Sequence, residues 1–353
     1  MANLTLQQPH WLQNDESSHD VVLSTRYRLA RNLRGFPFPH RLNWPGRQKI
    51  KQMVYRAVQH EFPLWRVLDG EALSPLMRQV FFEKHLISAS LKDTPEGSMV
   101  IFSPEARFSL LVNEEDHLRF QCILPGFQLA DSWREMVEIE KRLERWLGFA
   151  YHHQYGYLTS CLTNVGTGLR ASVMLHLPAL GWSGTLPGTI GHWPDKGMEF
   201  RGMFGEGSSF SEGFLQLSNK QTLGSDIPTL NGQVLRSADE LVRLERLARN
   251  NLLEHHTVKL VDSVHRSLAL LSSARVMSSE EATAHLSAVR LGACLQILPQ
   301  FSTRDLVRLL VGMRAGHLQL RASRTLEPEE RDQWRAGYLR GQIQSLLDKD
   351  SHG

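Results

Sequence analysis

Cysteine is scarce in this chain: Cys122, Cys161 and Cys294 are the three among 353 residues, too few and too far apart for a disulfide framework or a thiolate metal site. A reducing, cytoplasmic setting is the expectation that follows. No uninterrupted apolar run reaches the length of a membrane span, and the start MANLTLQQPHWLQNDESSHD has neither the cationic nor the apolar region of a secretion signal. Neither membrane insertion nor export is expected. An excess of one charge sign is also missing, since 40 Lys and Arg face 37 Asp and Glu for a formal net charge of +3. Fifteen of the seventeen cations after residue 230 are arginine, but they alternate with Glu, Asp and Leu. That pattern reads as solvated helix faces, and no direct nucleic-acid surface is expected. Low-complexity tracts and fixed-period repeats are absent, leaving an ordinary globular chain of about two domains.

What is present changes character along the chain. Helices are predicted over 48–60 and 74–82, the second with Ser74 as cap and Pro75 in the first helical position. Two apolar strands, 98–104 and 106–113, lead into the acidic cluster Glu114, Glu115 and Asp116. The clearest helix of the first half spans 129–147, closed by Gly148. A strand end at 157–160, a helix near 169–177 and strands near 198–203 and 213–218 follow. Beyond the turn-rich SDIPTLNGQ at 225–233 the periodicity is helical to the end, with a last helix after Pro328. The class expected is α+β, with a boundary near residue 230 separating a mixed domain, 1–230, from a helical one, 231–353.

The residues that could carry chemistry begin with arginine. Arg26 and Arg28, followed by Arg31, stand two apart in an extended run, so Arg26 and Arg28 share one side of a strand. Arg119, Arg170 and Arg201 adjoin strand ends or glycine-rich loops. Planar guanidinium groups bind phosphate oxygens bidentately, and several converging on one pocket would hold a polyphosphate. In VNEEDHLR, three adjacent carboxylates cannot all pair within a core, so one faces a cleft or the turn is solvated. His117 has no second ligand at metal-binding spacing, and no metal site is predicted. Cys161 precedes Gly166, Gly168 and Arg170, which fits a thiol beside backbone donors and equally an inert buried cysteine. This glycine loop is neither a Walker A nor a dinucleotide fingerprint. A second loop, RGMFGEGSS, sets three glycines around Glu206, as a lid presenting a carboxylate or as a plain turn.

STRYRLARN at 24–32, VNEEDHLR at 112–119, CLTNVGTGLRASVMLHLPAL at 161–180 and RGMFGEGSS with LQLSNKQTLG over 201–224 stand in family order. Over most of 20–224 the chain resembles the ATP:guanidino phosphotransferases, and within them the protein-arginine kinases of the McsB type. The resemblance implies a phosphagen-kinase-like catalytic domain with an antiparallel sheet flanked by helices, then an all-helical regulatory and dimerisation domain. Carried over onto this sequence, it implies ATP with Mg2+ bound mainly through the phosphates. Arg26, Arg28, Arg119, Arg170 and Arg201 would clamp those phosphates, with Ser24 opening the motif. Glu115 would orient and deprotonate the acceptor guanidinium beside Glu114, Cys161 would align it as a thiolate, and Glu206 would hold the target arginine. RDQWRA at 331–336 is similar to the family's RDxxRA motif, in which Arg331 and Arg335 would grip phosphoarginine at a regulatory site.

The partners implied are proteins bearing exposed arginines, a second copy of the chain, a zinc-binding activator and a Clp-type unfoldase that recognises the mark for degradation. Phosphagen-type relatives carry a small helical domain before the arginine motif, whereas here the motif opens at Ser24, so a more open acceptor site is expected. Two other readings remain: a small-guanidine phosphagen kinase, and a phosphoarginine-binding adaptor with weakened transfer. Three departures stand out: Leu162 where proline is usual, Ser209 where the loop often has glutamate, and 181–200, whose five glycines and two prolines before Met198 argue against a continuous helix.

Overall fold

The computed structural model describes residues 8–13, 20–191, 193, 196–203 and 211–350. Eight strands form one antiparallel sheet: β1 (Val22–Arg31), β2 (Arg66–Asp69), β3 (Met99–Phe102), β4 (Phe108–Val112), β5 (Leu118–Pro125), β8 (Leu169–His176), β9 (Met198–Gly202) and β10 (Phe214–Asn219). Their spatial order is β2-β3-β4-β5-β1-β8-β10-β9. β6 (Tyr151–His152) and β7 (Gly156–Tyr157) make a separate short ribbon.

The helices are α1 (Trp44–Glu61), α2 (Pro75–Glu83), α3 (Ala89–Asp93), α4 (Leu129–Leu147), α5 (Pro178–Trp182), α6 (Leu186–Gly191) and α7 (Ile227–His255), then α8 (Thr257–Ser273), α9 (Ser279–Cys294), α10 (Thr303–Gly312), α11 (Ala315–Ala322) and α12 (Pro328–Asp350). Local chemistry starts several of them. Asn43 accepts from Gly46 N at α1, Ser74 from Met77 N at α2 and Asp226 from Thr229 N at α7, while Ser278 and Glu281 form a capping box at α9. The break expected in 181–200 is present, since α5 and α6 are separated by Gly184 at φ +70°.

Residues 169–177 are a strand, not the helix expected from their apolar density. Leu169, Ala171, Val173 and Leu175 all enter the core, whereas Arg170, Ser172 and Met174 project from the other face. Leu169, Ala171 and Val173 alternate with Arg170 and Ser172, the period of two that a strand requires, and only the apolar run 173–175 interrupts it.

Alternation divides the sheet. Tyr27 and Leu29 of β1 join Phe120 and Leu124 of β5 and Leu215 and Leu217 of β10 in a core covered by α1, α4 and α7. At one end of the opposite face, Ile123, Met174 and Phe214 pack with Val264, Leu286, Leu310 and Leu339 of the helical half. α7 serves both cores, with Leu230 through Val242 in the first and Leu252 in the second, so residue 230 falls within a helix. Among the described residues, no helix is long and apolar enough to cross a membrane.

Glu245 of α7 is a fully buried fastening. Its carboxylate accepts from Ala179 N and Leu180 N, both at 3.1 Å, and from Arg249 Nε at 2.7 Å. Glu245→Ala strands two amide donors and a buried guanidinium, and is expected to cost about 3–5 kcal/mol in urea denaturation, with Glu245→Gln costing less.

Candidate active site

Strand register assembles arginines that are far apart in the chain. Arg28 of β1 faces Gln121 on β5 and Arg170 on β8, while Arg119 faces Ala30. On the far side, Arg201 of β9 is opposite Gln216 of β10, which is opposite Met174 of β8. Directly opposed residues project to the same face, here the one away from Tyr27 and Leu29. Arg26, Arg28, Arg119, Arg170 and Arg201 thus line one cleft of about 690 Å³ with Glu114, Glu115 and Cys161. Arg31 goes the other way. It is buried against Glu140 at 2.5 Å and stacked over Tyr157 at 3.4 Å, fixing the end of β1.

The positive charges crowd one another. Burial, then the Arg119 guanidinium, lower Arg26 to about 9, and burial with Arg26 and Arg170 lowers Arg28 well below its ordinary value. Arginine does not surrender its proton in proteins, so these directions mark positive charge short of an anion. Arg26 has a neutral partner, donating from Nε to Gln121 Oε1 at 2.9 Å. Arg28 makes no hydrogen bond or ion pair with any described residue, and its Nε is buried without an acceptor. Toward β9 the charge is partly offset: the one carboxylate of Glu199 takes both Arg170 at 2.5 Å and Arg201 at 3.0 Å. Burial raises the Glu199 pKa, but the two guanidinium groups outweigh it and hold the carboxyl below its usual range.

The acidic turn separates its three carboxylates by role. Glu114 is almost wholly buried at 2% exposure, with Oε1 accepting from Arg119 Nη1 at 3.0 Å and Oε2 unpartnered. Glu115 is 40% exposed and accepts from Arg119 Nη2 at 2.6 Å. For Arg119, burial lowers the pKa, and Glu114, Glu115 and Asp116 together more than reverse that. Asp116 points away into the protein, where Oδ1 accepts from Asn32 Nδ2 at 2.6 Å and Ser160 N at 2.7 Å. It ties the carboxylate turn to the backbone just before Cys161.

Cys161 is half-buried, lines the cleft and lies 3.0 Å from Thr163 Oγ1. The inert, buried thiol is Cys122, pushed up to about 12 by burial. Ser24 does not reach the cleft; it lines a small pocket beneath Arg26 with Ser172 and Met174. Glu206 and Ser209 lie outside the described residues. Arg331 and Arg335 sit on α12 in the helical half. Arg335 is buried, donating to Met313 O at 3.2 Å and Met277 O at 2.9 Å and pairing with Asp332, whereas Arg331 is half-buried.

Sequence reasoning missed Gln121, Glu199, Asn32 and the inward role of Asp116. Glu199 carried a signal, since it stands two residues before Arg201 and shares its strand face; Gln121 carried none without the register. Among the described residues, no three His, Cys, Asp or Glu side chains are grouped to hold a metal ion.

The comparisons with known proteins place the chain in one family by sequence and by fold. The profile of the ATP:guanido phosphotransferase C-terminal catalytic domain matches residues 47–248, and that of the protein-arginine kinase McsB C-terminal domain matches 257–353. Lombricine kinase shares the fold with a TM-score of 0.58 and 19% identity, covering 70% of this chain and 72% of its own. The duplicated taurocyamine kinase of Schistosoma mansoni superposes with a TM-score of 0.60 at 24% identity, over 66% of this chain and 34% of that one. Fold and profile together define an ATP:guanido phosphotransferase catalytic domain. A protein-arginine kinase of Syntrophomonas wolfei is 39% identical over 95% of both chains, and one of Brevibacillus brevis is 39% identical over 97% of both. The chain belongs to the protein-arginine kinase branch of this family.

Two expectations follow for the scaffold. Gly168 has φ +65°, and an added Cβ would lie 2.5 Å from Arg31 Nη1 and 2.6 Å from Ala30 O. Gly168→Ala should cost roughly 2–4 kcal/mol by urea denaturation. His117 accepts from Leu33 N at Nδ1 and donates from Nε2 to Pro37 O, both at 2.9 Å, a neutral ring that burial lowers to about 4. The unfolded chain takes up this proton near 6.5, so the contribution is full above that pH and is lost as pH falls toward 4, by about 3 kcal/mol. The urea midpoint should therefore rise from pH 4 to 7, less steeply in His117→Asn.

Proposed function

We propose that this chain transfers the γ-phosphoryl group of ATP to the guanidinium of arginine side chains in proteins. The observation that carries the reading is one cleft with two opposite demands. Arg28, without a partner among the described residues, and Arg26, short of an anion, call for phosphate, while Glu114 Oε2 and the accessible Glu115 call for a cationic hydrogen-bond donor. The names borne by the full-length relatives agree with it.

The chemistry follows from those demands. A protonated, delocalised guanidinium is a poor nucleophile, so the enzyme must both hold it and remove a proton. In this proposal Glu115, supported by Glu114, accepts hydrogen bonds from the target and takes the proton from the attacking nitrogen. Cys161 lies alongside and aligns the guanidinium, and Glu206 completes its binding. The nitrogen lone pair forms the N–P bond as the bond from the γ-phosphorus to the bridging oxygen breaks, leaving ADP with that electron pair. Arg26, Arg28, Arg119, Arg170 and Arg201 hold the phosphate oxygens and spread the transition-state charge. Magnesium, carried on the ATP phosphates, supplies further charge neutralisation. Arg119 bridges the two halves, since it already grips Glu114 and Glu115 at the edge of the phosphate side.

The helical half belongs to the same proposal. It supports a homodimer and a phosphoarginine site at Arg331, with Arg335 as a neighbour already committed to internal acceptors. The modified proteins pass to a Clp-type unfoldase in the cytoplasm, with a zinc-binding protein as activator.

Incubation with magnesium-ATP and casein should give acid-labile phosphoarginine by mass spectrometry. Glu115→Ala is expected to lower the rate about 10²–10⁴-fold, and Arg28→Ala to raise the KM for ATP. No product above the Glu115→Ala and Cys161→Ala background would sink the reading.

A further inference from the structure

The charge of the site reverses at the acidic turn. Beyond Glu114 and Glu115 the cleft continues into a second groove of about 470 Å³, which shares those two carboxylates and Ser90 with it and is lined by none of the five cleft arginines. The guanidinium in its wall is already engaged: Arg47 donates to Pro39 O at 3.1 Å, Glu96 O at 3.2 Å and Asn113 O at 3.4 Å, bracing three segments together. What the groove offers a ligand is acceptors. The exposed Glu96 carboxylate has no ion pair or hydrogen bond with a described residue. Two buried oxygens, Glu114 Oε2 and Asn113 Oδ1, have no donor among the described residues, and both residues line the groove. At its mouth stands Trp44, the first residue of α1, with 51% of its surface exposed.

Buried acceptors without donors are costly when the groove is empty and are satisfied by a ligand rich in N–H groups. An exposed tryptophan and an exposed carboxylate lining the same groove suit a cation, held by the ring face and by the charge. The groove also offers more room than the target guanidinium needs. Resting on the kinase reading above, we propose that this groove is the acceptor-peptide subsite and that it selects segments with a second basic residue beside the target arginine. The target guanidinium reaches Glu114 and Glu115, while the flanking cation pairs with Glu96 and lies against Trp44. Trp44 and Glu96 are therefore specificity-determining residues for the protein substrate.

The test uses the full chain, magnesium-ATP and three peptides of equal length, each with one arginine flanked by lysine, alanine or glutamate. The expected order of kcat/KM is lysine above alanine above glutamate, spanning about fivefold to twentyfold. Glu96→Gln should bring the lysine and glutamate peptides within about twofold of each other, and Trp44→Ala should raise the peptide KM while the KM for ATP stays. Trp44→Phe, which keeps an aromatic face, should restore the peptide KM and separates ring contact from a folding defect. Equal rates for the three peptides, an order that survives Glu96→Gln, or a peptide KM indifferent to Trp44→Ala would each overturn the subsite while leaving the kinase reading intact. Failure to phosphorylate any of the peptides or casein would remove both.

Discussion

The pleat of the central strand β1 is the constraint on which this structure depends. Tyr27 and Leu29 point into the main core while Arg26 and Arg28 point into the cleft, and both neighbouring strands hold the register. A slip by one residue would exchange those sets and bury two guanidinium groups among apolar side chains. The strand is secured at both ends. Thr25 Oγ1 donates to Gly126 O at 2.7 Å, and Arg31, turned to the core side, pairs with Glu140 of α4.

Crowding like charges along one face works against folding, and the surrounding structure offsets part of that cost. Glu199 offsets part of the charge on the β9 side, Gln121 gives Arg26 a neutral acceptor, and the acidic turn holds Arg119. Positive charge is left around Arg26 and Arg28, in the middle of the sheet. A site that retains unbalanced charge has sacrificed local stability for affinity toward an anion.

The helical half is fastened to the elements that build the site, not merely appended. Arg246 and Arg249 of α7 bind Asp20, just before β1 begins, and Arg290 of α9 donates to Asp20 O. Glu83, at the end of α2, accepts from Gly316 N at 2.7 Å and from the His317 ring at 2.7 Å in α11. Phe82, His85 and Ser88, immediately beside it, line the cleft. The helical half is thus physically attached to the strand that carries the arginines and to the cleft wall facing them.

Much of this was legible in the linear order of residues. Capping residues marked α2, the closing glycine marked α4, glycines and prolines foretold the break between α5 and α6, and motif chemistry singled out the arginines, Glu114, Glu115 and Cys161. β8 and β5 were missed although each begins with apolar and polar residues in alternation, because each then runs into consecutive apolar residues, 173–175 and 122–124, that interrupt the period of two. Local chemistry determined which groups could bind phosphate and guanidinium, because those capacities belong to the side chains themselves. Tertiary structure alone decided which would meet: that Arg28 would face Arg170 across the strands, that Glu199 and Gln121 would join them, and that Asp116 and Arg31 would turn inward. Cross-strand register brings together residues more than a hundred positions apart, and no spacing along the chain encodes it.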